Sequence, residues 1–300
     1  MTVRVRHSRW WDTLNELIEN GERVLVTLLR SFGPWKDSVY LVGRLTPSYL
    51  IRMKPPYVLS RPETGHVGTT IELQILADVE AYRSLEDNFR KLGFERGENA
   101  NGERVSWRWQ VKTESGATLV LEFLVGHPGA GGSKTQPPLT LGNISALSIP
   151  YSSIIYDHYE VKEVSAALLG DDSVVTETIR HTDIVSFVCL RSYVLDQRHE
   201  DKDAYSLIHC LRSFKGGPEA VAKALRAALD SRHKEAVETA LQILRRRFGD
   251  EEKSEGYLKD GPIAAAKFEL SGHTGTPEAR LTLQRRSADL ITHLLREIRA

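Results

Sequence analysis

The sequence predicts an α/β (α+β) protein: a mixed sheet flanked by helices over residues 1–155, then a mainly helical C-terminal domain over residues 156–300. Three observations carry that expectation. Val105–Val111 and Leu119–Val125 are strand-like runs on either side of the turn Thr113-Glu114-Ser115-Gly116, which suits an antiparallel hairpin. Val39-Tyr40-Leu41-Val42 is a short apolar run that meets Gly43 and then a helix-compatible stretch, Leu45 to Ile51. From Asp183 onward, apolar residues recur at helical spacing in one segment after another.

In chain order, the first segment runs from Trp10 to Phe32, where Gly21 interrupts a helical pattern and suggests one broken helix or two short ones. Trp10 and Trp11 are expected to anchor a core. Pro47 fits a first helical turn, and Lys54 to Glu63 is a Pro-rich loop. Gly68-Thr69-Thr70 reads as a turn that leads into an alternating strand, with Ile71, Leu73 and Ile75 on one face and Glu72 and Gln74 on the other. A helix is expected from Val79 to Leu92, stopped by Gly93. In the hairpin, Val105, Trp107, Trp109 and Val111 share one face, while Ser106, Arg108 and Gln110 take the other. Gly126 to Pro138 is a loop; its Gly-rich centre lacks phosphate-loop spacing, and Gln136-Pro137-Pro138 stands where a helix should start. Two strands near His158–Val164 and Val174–Arg180 precede helices over Asp183–Gln197, Asp201–Phe214, Pro218–Leu229, Lys234–Phe248 and Ser287–Ile298.

The composition is that of an ordinary globular protein, and the formal net charge is zero. A nucleic-acid partner would therefore be held by local patches, for which Arg245-Arg246-Arg247 and Arg285-Arg286 are the candidates. No apolar run is long enough for a membrane span, and Met1 to Trp11 is basic without an apolar signal core. With two isolated cysteines, Cys189 and Cys210, the expectation is a cytoplasmic protein with buried thiols and no membrane partner. The histidines show no zinc-binding spacing, and no nucleophile-elbow sequence occurs.

The chemistry-bearing residues form two groups. Glu72 follows the Gly68-Thr69-Thr70 turn, and Glu122 interrupts an otherwise apolar strand, where a carboxylate is costly unless paired, metal-bound or facing a cleft. Such carboxylates suit a hard divalent cation, and Gly43-Arg44 and Gly68-Thr69-Thr70 are candidate phosphate turns. The second group is Arg191, in the middle of an apolar helix, with the charged run Asp196–Asp203. Asp201 and Asp203 also suit the start of a helix, where the dipole favours negative charge.

Taken together, these residues resemble the nucleotidyltransferase-fold proteins of bacterial abortive-infection and toxin–antitoxin systems. The resemblance rests on Leu41-Val42-Gly43, on His66-Val67-Gly68-Thr69-Thr70 before Glu72 with Leu92-Gly93-Phe94 beyond, and on Arg198–Tyr205 with Gly216-Gly217-Pro218-Glu219. It implies a mixed sheet followed by a helical domain that closes a nucleotide cleft, a nucleoside triphosphate with Mg²⁺ or Mn²⁺, and transfer to tRNA or a protein, with a cognate antitoxin as a further partner. By the same resemblance Glu72 and Glu122 hold metal, Gly43, Arg44, Gly68, Thr69 and Thr70 bind nucleotide, and Arg191 and Asp203 complete the site. The sequence departs from the family pattern at Arg44, where a second small residue is usual. It departs again on the strand of Glu72, which carries one acidic residue in place of two, and at Arg191, where a Lys is expected. Two further readings stand beside the enzyme: a degenerate binding or regulatory module, and an RNA-binding module that uses the basic helices.

Overall fold

The computed structural model describes the backbone of residues 5–43, 45–51, 68–75, 86–98, 102–112, 118–126, 139–141, 144–250, 254–271 and 275–299. Within these, the side chains of residues 5–18, 34–35, 68–75, 107, 119, 122–126, 139–141, 144–149 and 172 lie outside the description. The chain is mixed α/β and divides into two compact units, Met1–Thr46 with Pro56–Thr182, and Pro47–Pro55 with Asp183–Ala300.

The first unit is built on a sheet whose main path is β3-β4-β5-β2-β1-β9-β8. Its strands are β1 (Val39–Leu41), β2 (Gly68–Ile75), β3 (Glu95–Glu98), β4 (Arg104–Lys112), β5 (Thr118–Gly126), β6 (Leu139–Leu141), β7 (Ile144–Ile149), β8 (Tyr159–Leu168) and β9 (Asp171–Thr182). The expected hairpin is present: β4 and β5 pair antiparallel, with Trp109 opposite Leu121. β2 lies parallel to β5 and antiparallel to β1, and β1 lies parallel to β9. β4 follows β5 only to Glu122, and β7 takes up that side from Leu124 to Gly126 while β2 holds the other.

One face of the sheet carries an aromatic core. Trp109 and Leu121 are buried there, and Phe89, on the helix α3 (86–91), sits 5.4 Å from the Trp109 ring and 6.4 Å from Phe32. Phe32 closes α1 (Val5–Phe32), one uninterrupted helix where one broken helix or two short ones were expected at Gly21. A glycine costs a helix about 1 kcal/mol relative to alanine. Burial of Val24, Leu25, Leu28, Leu29 and Phe32 outweighs that. Beside α1, buried Glu177 of β9 accepts a 2.8 Å hydrogen bond from Lys36. Trp10 and Trp11 fall within α1, and their side chains lie outside the described residues, as does the helix expected from Val79 up to residue 85.

The second unit contains α2 (Pro47–Leu50), α4 (Ile184–Arg198), α5 (Asp201–Ser213), α6 (Gly217–Leu229), α7 (Lys234–Phe248), α8 (Asp260–Glu269) and α9 (Pro277–Arg299). α4 is apolar nearly all round and buried from Ile184 to Tyr193 and at Leu195, as a central helix must be, and only its last turn reaches the surface. Asp183 caps it by accepting the Ser186 N–H at 2.9 Å. α8 is an addition to the expected set, and α9 begins ten residues before Ser287, at Pro277. Among the described residues no helix is long and apolar enough to cross a membrane.

Candidate functional site

The residues assigned from the sequence fall into two sets, one in each compact unit. In the first unit, β2 and β5 run parallel with Glu72 directly opposite Glu122. On the other side of β5, Arg108 of β4 lies directly opposite Glu122. Arg108, Glu122 and Glu72 therefore occupy one rung across three adjacent strands. Residues at one rung lie on one face, and successive residues alternate. Since Trp109 and Leu121 of the next rung belong to the aromatic core, the two glutamates share the face turned away from it. The side chains of Glu72 and Glu122 themselves lie outside the described residues.

The end of β1 brings a turn to the same level. Leu41 pairs with Leu73, so the chain leaves β1 at the level of Glu72, and Gly43 follows at once. Thr46 N–H donates to the Gly43 carbonyl at 3.1 Å, closing the turn ahead of α2. Gly43 and Thr46 are buried, and the Thr46 hydroxyl has no hydrogen-bond partner among the described residues. The same is true of Thr182, the last residue of β9, one step beyond the pairing of Leu41 with His181. Arg44 lies outside the described residues.

Gly68, Thr69 and Thr70 do not form the expected turn. They are the first residues of β2, in register with Thr118, Leu119 and Val120 of β5. The β-branched run Thr69-Thr70-Ile71 favours an extended chain, and a paired neighbour strand decides the outcome. Of the two candidate phosphate turns, the one between Gly43 and Thr46 is the one that stands as a turn among the described residues.

Arg108 was visible in the sequence only as a polar-face residue of an alternating strand. What singles it out is its register with Glu122, a pairing no local pattern reveals. Its stem is held in place: a Cβ on Gly97 of β3 would come within 2.9 Å of Arg108 Cγ, so glycine makes room for it.

In the second unit, Arg191 of α4 and Asp203 of α5 meet directly. Arg191 Nη1 donates to Asp203 Oδ1 at 3.0 Å, with the two side chains 4% and 3% exposed. The guanidinium lies 5.6 Å from the Phe187 ring centre, and Asp203 Oδ2 has no hydrogen-bond partner among the described residues. Nearby on α5, burial pushes the Cys210 thiol up to about 12, against the pull of Arg191. Burial also pushes the His209 imidazole down to about 4, helped by Arg212. Cys189 and Cys210 are both free and buried.

The basic cluster on α7 is largely committed to ion pairs. Arg247 is buried and grips Asp260 through Nε at 2.9 Å and Nη2 at 2.7 Å, and Arg246 pairs with Asp196. Arg285 of α9 stacks over Tyr257 at 5.0 Å. Among the described residues no three His, Cys, Asp or Glu side chains gather closely enough to hold a metal ion. No protein-family model, curated protein or solved structure matches the chain.

Proposed function

We propose that this chain has the nucleotidyltransferase fold and transfers a nucleotidyl group from a nucleoside triphosphate to tRNA or a protein, as a toxin of a toxin–antitoxin or phage-defence system. The observation that carries the reading is the rung that sets Glu72 opposite Glu122 on adjacent parallel strands, at the level where β1 gives way to the Gly43 turn. Neighbouring strands stand about 4.8 Å apart, a spacing two carboxylates can bridge with one cation between them. Oxygen donors of this kind fit Mg²⁺ or Mn²⁺. Glu72 and Glu122 would hold that ion, which neutralises phosphate charge when bound.

The chain's own residues do the rest. Gly43 lets backbone approach the triphosphate without a side chain in the way, and the same turn carries the buried Thr46 hydroxyl, which has no hydrogen-bond partner among the described residues. Arg108 adds a fixed positive charge next to Glu122, which offsets the repulsion between two neighbouring carboxylates. Arg191 and Asp203 serve first as a buried pair that orients α4 against α5.

That last point also favours a second reading, a binding or regulatory module that keeps the fold with little transfer activity, because a sequestered arginine is not placed to touch phosphate. Incubation with labelled nucleoside triphosphate, Mg²⁺ or Mn²⁺ and total tRNA separates the two. The enzyme predicts label on RNA or protein that disappears in Glu72→Ala. Nucleotide binding by calorimetry without incorporation points to the module, and neither binding nor incorporation overturns the first reading.

A further inference from the structure

We propose that the outer edge of β8 is a self-association surface, on which two copies of this chain pair antiparallel about a two-fold axis at Val161. β8 ends the main sheet path and is ten residues long; among the described residues its one strand partner is β9. An edge of that length presents a row of backbone donors and acceptors to any strand that can align with it. Its open face is apolar in the middle, with Val161 58% and Tyr159 37% exposed, while Glu160, Lys162 and Glu163 are exposed around them.

Charged residues on an edge strand usually prevent pairing, so the register decides. A two-fold axis perpendicular to the sheet places each residue opposite one on the same face, and the axis must pass through a residue position. Centred on Glu160, Lys162 or Glu163, the pairing sets a charge against its own copy. Centred on Val161, it sets Glu160 of each copy opposite Lys162 of the other, twice, and buries the two exposed valines against each other. Oppositely charged and β-branched pairs are the cross-strand contacts that stabilise antiparallel strands. Of the centres along β8, Val161 is the one that sets a glutamate opposite a lysine, so charge complementarity favours this register, and the occupant that fits is a second copy of this chain.

Sedimentation equilibrium on the full chain at rising concentration tests this, using Glu160→Lys, Lys162→Glu and an equimolar mixture of the two. The wild type is expected to dimerise. Each single variant turns both cross-strand pairs repulsive and is expected to weaken the dimer by about tenfold or more. The mixture restores both pairs between unlike chains, so it is expected to recover the dimer as a heterodimer, which differently tagged chains make visible. Both positions are exposed, and thermal melting of each variant checks that the fold is intact. A wild type that stays monomeric overturns the proposal. So does a dimer indifferent to the single variants, or a mixture that fails to recover.

Discussion

Arg191 and Asp203 are a buried ion pair on two helices whose other inward residues are mostly apolar, with Ser186, Ser192 and His209 the buried polar exceptions. Breaking such a pair from one side leaves an uncompensated charge, at a cost of about 3–5 kcal/mol. Asp203→Ala is therefore expected to lower stability by that order in urea unfolding, whereas Arg191→Met combined with Asp203→Leu should recover most of the loss. Recovery of the fold in the double variant without nucleotide transfer would assign the pair a role in the reaction as well. His209, two turns along α5 from Asp203, carries a pH dependence with a definite sign. Its folded pKa of about 4 lies below the ordinary 6.5, because burial penalises the imidazolium. Below pH 6.5 the unfolded chain takes up a proton that the folded chain refuses until about pH 4. Stability from this group is complete above the unfolded value and falls through that window, by about 3 kcal/mol in all. Urea midpoints of wild type and His209→Leu at pH 7, 5.5 and 4.5 isolate the term, since other titrating groups cancel in the difference. An unchanged difference across the window would show that the imidazole is not held neutral.

Among the secondary-structure elements, α8 shows why local pattern and final structure part company. It opens with Asp260, Gly261 and Pro262 and continues through alanines, so no apolar stripe announces it. What holds it is contact with its neighbours: Phe268 packs 5.5 Å from Tyr205 of α5, Arg247 of α7 bridges to Asp260, and Gly261 lies so close to α7 that an added Cβ would sit 2.7 Å from both the Arg247 carbonyl oxygen and the Phe248 ring. Alanine in place of a helical glycine ordinarily stabilises by about 1 kcal/mol. Here overpacking reverses the sign, and Gly261→Ala is expected to cost about 1–3 kcal/mol by chemical denaturation. The hairpin of β4 and β5 was legible because alternation and a turn are local signals, and so were α4, α5, α6 and α7, whose apolar spacing is regular. The first three residues of β2 were not, since Gly68 suggests a turn until β5 is known to lie beside it. The rung of Glu72, Glu122 and Arg108 joins three strands brought together by non-local pairing. Sequence could nominate Glu122 by its cost in an apolar strand and Glu72 by its place after Gly68-Thr69-Thr70, but the arginine opposite Glu122 emerges only with the register.

For the molecule as a whole, charge decides how much of its behaviour nucleic acid can command. The formal net charge is zero, so no global field draws a polyanion, and binding must come from local arginines and lysines. On α7, Arg246 and Arg247 face Asp196 and Asp260, and a phosphate would have to displace carboxylates already in place. On α9, Arg285 is stacked on Tyr257. Each phosphate neutralised contributes about −0.7 to the slope of log affinity against log salt for a single strand. An RNA-binding module built on these helices would need six or more such contacts and a slope near −4 or steeper. The paired arginines predict the opposite: weak retention on RNA, with a slope shallower than about −2 in filter binding from low to physiological salt. Asp196→Asn frees the exposed Arg246, and it should steepen the slope by about −0.7 if ion pairing is what silences it. A steep slope in the wild type would restore the basic helices as the functional surface and displace the glutamate rung from that role.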